Sequence, residues 1–129
     1  MGPTSSGWTA DELAAIGAAE ELRIAPRRRD GSPGKELPIW VVRAGDDLYV
    51  RAAYGAGTGW HRRAQASRAG RIAAGGVEKE VRFEDAPEAE HDRVDAAYRE
   101  KYGRYARIVG TVLDADARAS TLRLVPAAA

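Results

Sequence analysis

The 129-residue chain contains no cysteine. Disulfides, thiolate metal sites and cysteine nucleophiles are therefore excluded together, and the composition suits a reducing cytoplasm. It also lacks a dominant charge. Twenty basic residues stand against 19 acidic ones, for a net charge of +1, so no overall field draws the protein to nucleic acid or to an anionic membrane. Any anion binding has to be local. Histidine is scarce. His61 and His91 are the two present, and neither has a second histidine or an acidic residue at a metal-binding spacing, so no metal site is expected. No apolar run approaches the roughly 20 residues a membrane helix needs. The opening MGPTSSGWTADE lacks the basic start and apolar stretch of a secretory leader. Ser5, Ser6, Ser32, Ser67 and Ser120 are the serines, and none stands in a nucleophile elbow, so no hydrolase triad is expected. The expectation is a cytoplasmic protein with neither membrane nor nucleic acid as a partner.

What is present is enough for one core. Hydrophobic residues make up 44% and charged residues 30% of the chain, which is globular composition for a single domain. That domain is expected over residues 9–126, after a flexible N-terminus at 1–8 and before a loose tail at 127–129.

Thr9 followed by Glu12 is a capping box opening an Ala-rich helix that fades near Glu21, with Leu13 and Ile16 on one face and Trp8 placed to staple against it. Leu22–Ala25 reads as a short strand, and residues 27–34 as a turn rich in Arg, Gly and Pro. The three arginines Arg27, Arg28 and Arg29 have no aromatic platform beside them and read as solvated surface. Residues 38–44 and 48–54 form a hairpin across Gly45-Asp46-Asp47. In its first strand Ile39 and Val41 share one face, Trp40 and Val42 the other. A strand apolar on both faces must be covered on both, by a helix or by a second subunit. Trp40 is accordingly assigned to core or to a dimer interface.

Residues 70–77 read as another strand and turn. Residues 78–85 alternate, with Val81 and Phe83 inward and Lys79, Arg82 and Glu84 mostly outward. Pro87 starts a long helix to about Tyr105, with Val94, Tyr98, Tyr102 and Tyr105 along one stripe. The stripe reads as core packing, or as packing with one hydroxyl reaching a ligand. Asp95 and Arg99 read as an i,i+4 pair on the wet side. A last hairpin is expected to pair 108–113 with 121–125. The class is therefore α+β, built mostly on adjacent antiparallel strands.

The strongest local feature is Gly55-Ala56-Gly57-Thr58-Gly59-Trp60-His61-Arg62-Arg63. Glycines let backbone N–H groups converge, a helix start adds more of them, and Arg62 and Arg63 can grip phosphate. Trp60 offers a flat face, Arg51 enters from the preceding strand, and His61 is a candidate proton donor. The same residues also read as a turn followed by a solvated basic helix. The spacing is neither a Rossmann fingerprint nor a P-loop.

Arg29-Asp30-Gly31, then Pro38-Ile39-Trp40-Val41-Val42, then Asp47-Leu48-Tyr49-Val50-Arg51, then the Gly-rich turn, together resemble the flavin- and deazaflavin-binding split β-barrel superfamily. That superfamily includes the pyridoxamine-phosphate oxidase-like and deazaflavin-dependent nitroreductase-like families. The segment 95–103 is similar to the helix that follows the barrel's middle strands there. More narrowly, the chain resembles a small bacterial family of unknown function within that group. The resemblance covers about residues 9–126. It implies a six-stranded antiparallel split barrel with an N-terminal helix and one long helix before the last hairpin, usually a homodimer with cofactor sites at the subunit interface. It implies an oxidoreductase using FMN or a deazaflavin on a small organic substrate. The alternatives are a non-catalytic flavin- or small-ligand-binding module and a barrel that has lost its flavin and works as a cofactor-free enzyme or scaffold. The implied cofactor-binding residues are Arg51, Ala52, Ala53, Trp60, Arg62 and Arg63. Two features depart from the pattern: the usual hydroxyl after the strand is Ala52 or Ala53, and the run 60–63 replaces the usual lysine.

Overall fold

The computed structural model describes residues 7–53 and 59–127. The expected Gly-rich stretch Gly55–Thr58 lies outside the described residues; Gly59 onward is within them.

The first element among the described residues is α1 (Ala10–Ala18). The Thr9 hydroxyl accepts from the Glu12 N–H and the Glu12 carboxylate accepts from the Thr9 N–H, so the expected capping box is present at both ends. Strands β1 (Leu22–Pro26), β2 (Leu37–Ile39), β3 (Val41–Ala44) and β4 (Asp47–Val50) follow. Next come α2 (Gly59–Ser67), β5 (Ala69–Ala74) and β6 (Val77–Asp85). A short 3-10 turn at Glu88–Glu90 leads into α3 (His91–Tyr102), then α4 (Ala106–Val109), a 3-10 turn at Gly110–Val112, α5 (Ala115–Ala119) and β7 (Leu122–Pro126). Among these helices none is long and apolar enough to cross a membrane.

All strand pairs are antiparallel, in the order β2-β1-β5-β6-β7-β4-β3. The class is α+β with a barrel-like sheet, and the described residues form seven strands rather than the expected six. The difference lies in residues 37–44. That segment is broken at Trp40 into β2, which pairs with β1 at one edge of the sheet, and β3, which pairs with β4 at the other. One continuous stretch of chain thus serves both edges. It must bend between them, and Trp40 sits at the bend.

The last hairpin differs more sharply. Residues 108–112 are helical and Leu113 lies in a turn, and β7 instead pairs with β4 on one side and β6 on the other. Both edges of β7 are taken, which leaves no ladder for a strand at 108–113 to join. The main helix is also shorter than expected, giving way to the 3-10 turn at its start and ending at Tyr102.

Two apolar clusters form on the two faces of the sheet. Leu22 and Ile24, Leu48 and Val50, Val81 and Phe83, and Leu122 and Leu124 fill one cluster together with Trp8, Leu13 and Ile16, and Trp60 and Ala64 of α2 close it. Trp8 Nε1 donates to the Leu124 carbonyl at 2.9 Å, so the expected staple is also a hydrogen bond. Val42, Ala44 and Tyr49 face the second cluster, which α3 covers with Val94, Tyr98 and Tyr102. Ile39 packs on the first cluster and Trp40 on the second. The two-faced reading of residues 39–42 therefore holds, with α3 as the outer cover.

Candidate functional site

A cleft of about 350 Å3 opens where the bend of residues 37–40 faces the segment after β4, the start of α2 and the 3-10 turn before α5. Leu37, Pro38, Ile39 and Trp40 form one wall. Ala53, Trp60, Thr111 and Val112 form the other, with Arg51 at the base. The volume is at the lower end of the range for small-molecule sites, and such sites are mostly apolar with a few polar groups. Ala53 and Trp60, which flank the Gly-rich stretch in sequence, both line this cleft. Trp40 is half-buried and stacks on Tyr102, with ring centroids 3.9 Å apart and planes 5° from parallel. Tyr102 is held in turn by its hydroxyl, which donates to the Glu20 carbonyl at 2.8 Å.

Arg51 lines the cleft, but its charge is already used. Its Nη1 donates to Asp95 Oδ1 at 2.5 Å and to the Val112 carbonyl at 2.7 Å. Its Nε donates to Thr121 Oγ1 at 2.9 Å, and its Nη2 to the His91 carbonyl at 3.2 Å. The guanidinium also lies 5.4 Å from the Tyr98 ring centroid. Four of its five N–H groups are thus taken. Arg51 gathers β7, α3 and the 110–112 turn around the base of the cleft and can offer a ligand at most one N–H. Asp95 is the residue that fixes it. Asp95 is buried, not on the wet side beside Arg99 as expected, and its second oxygen lies 3.6 Å from Arg118 Nε. Burial of a carboxylate requires such pairing.

Ala52 and Ala53 divide. The Ala52 N–H donates to Ser120 Oγ at 2.9 Å, so that amide already has a partner inside the protein. Ala53 lines the cleft. His61 is wholly buried, and its Nε2 donates to the Ser120 carbonyl at 2.7 Å. The carbonyl can only accept, so the proton sits on Nε2. His61 docks α2 onto the segment before β7 and is not among the residues lining the cleft. Trp60 is buried, lies T-shaped to His61 with ring centroids 5.5 Å apart, and lines the cleft.

Arg62 and Arg63 lie on α2 just beyond the cleft wall. Arg62 is exposed. Arg63 folds back along its helix, so that its Nη1 would lie 3.3 Å from a Cβ placed on Gly59. Its Nε is buried and has no hydrogen-bond partner among the described residues. A buried donor without an acceptor costs free energy, and an anion at the start of α2 would supply that acceptor. This orphaned N–H, with the two tryptophans at the cleft, fits a planar ring bearing a phosphate. The cleft's volume suits a ring and its near chain better than a whole dinucleotide.

Of the residues singled out in the sequence, Arg51, Ala53 and Trp60 line the cleft, whereas Ala52, His61, Arg62 and Arg63 do not. Trp40 and the 110–112 turn could not be tied to it in advance. The β-branched residues Ile108, Val109, Thr111 and Val112 resemble a strand locally. The available contrary signal was Asp114, whose side chain caps α5 by accepting from the Ala117 N–H at 2.8 Å. Among the described residues no group of three or more metal-ligating side chains comes together, and Arg28 and Arg29 are exposed while Arg27 pairs with Glu80 at 2.8 Å.

The bacterial family described as "Uncharacterized protein conserved in bacteria (DUF2255)" matches residues 12–124. No curated protein matches the sequence. Among solved structures, an FAD-binding protein from Mesorhizobium loti is similar with a TM-score of 0.58 at 18% identity, over 94% of this chain and 91% of that one. A conserved hypothetical protein from Mycobacterium tuberculosis gives 0.60 at 14% identity, over 95% and 81%. An F420 reductase gives 0.50 at 15% identity, over 98% and 96%. At such identities the likeness is one of fold.

Proposed function

Since the chain belongs to the DUF2255 family of bacterial proteins and shares the split-barrel fold of these structures, we propose that it binds a flavin or deazaflavin with its ring in the cleft between Trp40 and Trp60. The observation that carries this reading is the pairing of an apolar, tryptophan-walled cleft with the orphaned Arg63 Nε at the start of α2. The names of two similar folds, an FAD-binding protein and an F420 reductase, support the same ligand class. FMN or a deazaflavin, each with a single ring system and a phosphate-bearing chain, suits the cleft volume. Arg62 and Arg63 take the phosphate, Trp60 and Trp40 flank the ring, and Arg51 shapes the base without lending its charge. The protein acts as an oxidoreductase on a small organic substrate, and as a homodimer.

Such a ring supplies hydride transfer, while the protein supplies binding, orientation and exclusion of water. The apolar wall from Leu37 to Trp40 keeps water from one side. Among the described lining residues Arg51 alone is ionisable, and Asp95 neutralises it. That observation favours a second reading, a flavin-carrying module with no acid–base chemistry of its own.

Titration of the purified protein with FMN, FAD and F420, followed by absorbance and tryptophan fluorescence, tests the proposal. Binding below about 100 μM is expected for at least one of them, and its absence for all three would overturn the reading. Replacing both Arg62 and Arg63 by Ala is expected to weaken binding at least about tenfold, each lost charge-assisted contact being worth roughly 1.5–3 kcal/mol. Unchanged affinity would move the phosphate elsewhere. Binding without turnover of any reductant–substrate pair would select the module.

A further inference from the structure

A second groove, of about 400 Å3, lies between α1 and α3 over β3 and shares no lining residue with the cleft. Part of its lining is small and apolar, with Leu13 and Ala14 from α1, Val42 from β3 and Ala97 from α3, beside the charged Arg43, Glu100 and Lys101. Lys101 is the one lysine in that lining. Lys101 is half-buried, its Nζ donates to the Val41 carbonyl at 2.7 Å, and it lies 5.0 Å from the Tyr102 ring centroid. Among the described residues it forms no ion pair, unlike Lys79, which pairs with Glu12 at 2.6 Å.

We propose that Lys101 is a covalent binding site for small apolar aldehydes, which seat their hydrocarbon part in the α1–α3 groove and condense with the lysine nitrogen. The chemistry needs a neutral amine held in place with its lone pair available. A single N–H bond to a neutral carbonyl does that, whereas a carboxylate partner would hold the ammonium form. The lone pair on nitrogen bonds to the aldehyde carbon and the carbonyl oxygen takes up a proton. The resulting carbinolamine loses water to leave an imine, and no oxidant or reductant takes part.

The surrounding charges agree with this role. Burial pushes the Lys101 ammonium down to about 8, opposed by the charge of Glu20. The Glu20 carboxylate is drawn away by Arg104 at 2.8 Å and the Tyr105 hydroxyl at 2.9 Å. Across the groove Arg43 brings a second positive charge, turned toward the Gly45 carbonyl at 2.9 Å and Asp46 at 3.7 Å. Glu100, exposed on α3, is the acidic side chain lining the groove, and the residues of α1 there carry no charge.

The chain has three lysines, Lys35, Lys79 and Lys101, so the test has internal controls. The full-length protein is treated with pentanal and cyanoborohydride at pH 7.5, which reduces any imine to a stable alkylamine, and peptide mapping by mass spectrometry locates the adducts. Labelling at Lys101 is expected to exceed that at exposed Lys35 by at least about tenfold, since each unit by which an ammonium pKa falls raises the neutral fraction about tenfold. Equal labelling, or more at Lys35, would overturn the proposal. Ala14→Leu, an exposed change that narrows the groove, separates a site from a merely nucleophilic amine. It is expected to reduce pentanal labelling at Lys101 several-fold while leaving methylation by formaldehyde unchanged. If pentanal labelling is unaffected by Ala14→Leu, the groove plays no part and the proposal fails.

Discussion

Arg51 and Asp95 stand 44 positions apart, and neither can be understood alone. An arginine that emerges from a strand beside a Gly-rich turn suggests phosphate. An aspartate four before an arginine on a helix suggests a surface pair. Packed together, each satisfies the other in the interior. Asp95→Ala should leave the Arg51 guanidinium buried without its counter-ion and destabilise the protein by about 3–5 kcal/mol, read as a lowered urea midpoint. The apolar double replacement Arg51→Met with Asp95→Leu should cost less than Asp95→Ala alone, because no charge is then stranded. Lys101 gives a pH-dependent counterpart. Its folded value of about 8 lies below its ordinary 10.5, so between these values the unfolded chain holds more protons at this site. Stability therefore rises with pH across that window. The unfolding free energy of the wild type relative to Lys101→Met should increase from pH 7 to pH 9.5 in urea titrations, and a flat difference would mean that Lys101 titrates as in water.

The β5–β6 hairpin shows what a single element takes from its surroundings. Gly75 and Gly76 both have positive φ, 59° and 86°, as a two-residue turn of the primed type requires. They differ in what lies around them. A Cβ on Gly75 would come within 2.4 Å of the Ala15 carbonyl oxygen on α1, whereas one on Gly76 would meet nothing within 4 Å. Alanine at either position incurs a left-handed backbone cost of about 1 kcal/mol. Gly75→Ala must in addition push α1 off the hairpin. Thermal unfolding should accordingly show Gly75→Ala as clearly more destabilising than Gly76→Ala, and equal losses would show that α1 does not hold the turn. Helix α1 has its own local support in the Thr9–Glu12 box, which explains why its start could be read from four residues.

For the whole molecule, the barrel-like sheet is joined through one segment, 37–44, that belongs to both edges. Trp40 at its bend is at once outer packing against Tyr102 and a wall of the cleft, so the proposed ligand site is placed by the same bend that joins the sheet. The homodimer proposed for this fold is tested directly. Light scattering should give about twice the monomer mass of 13.9 kDa at micromolar concentration. A monomer there would require each cleft to be complete within one chain.

Much of the architecture was legible because its causes are local. A capping box spans four residues, a glycine turn two, a strand's two faces alternate residue by residue, and the Val94–Tyr98–Tyr102 stripe repeats within one helix. The resemblance carried by 29–31, 38–42, 47–51 and the Gly-rich turn pointed to the family and the fold. The rest was decided by partners distant in sequence. Residues 108–113 favour a strand by composition and become helix and turn because β4 and β6 already occupy both edges of β7. Residues 38–44 read as one strand and become two because two different neighbours claim them. Arg51 reads as a ligand group and becomes the clasp of the cleft because Asp95 is packed against it. Periodicity and turn chemistry act within a few residues and are written in the sequence itself, whereas edge availability and charge pairing exist once the chain has closed on itself.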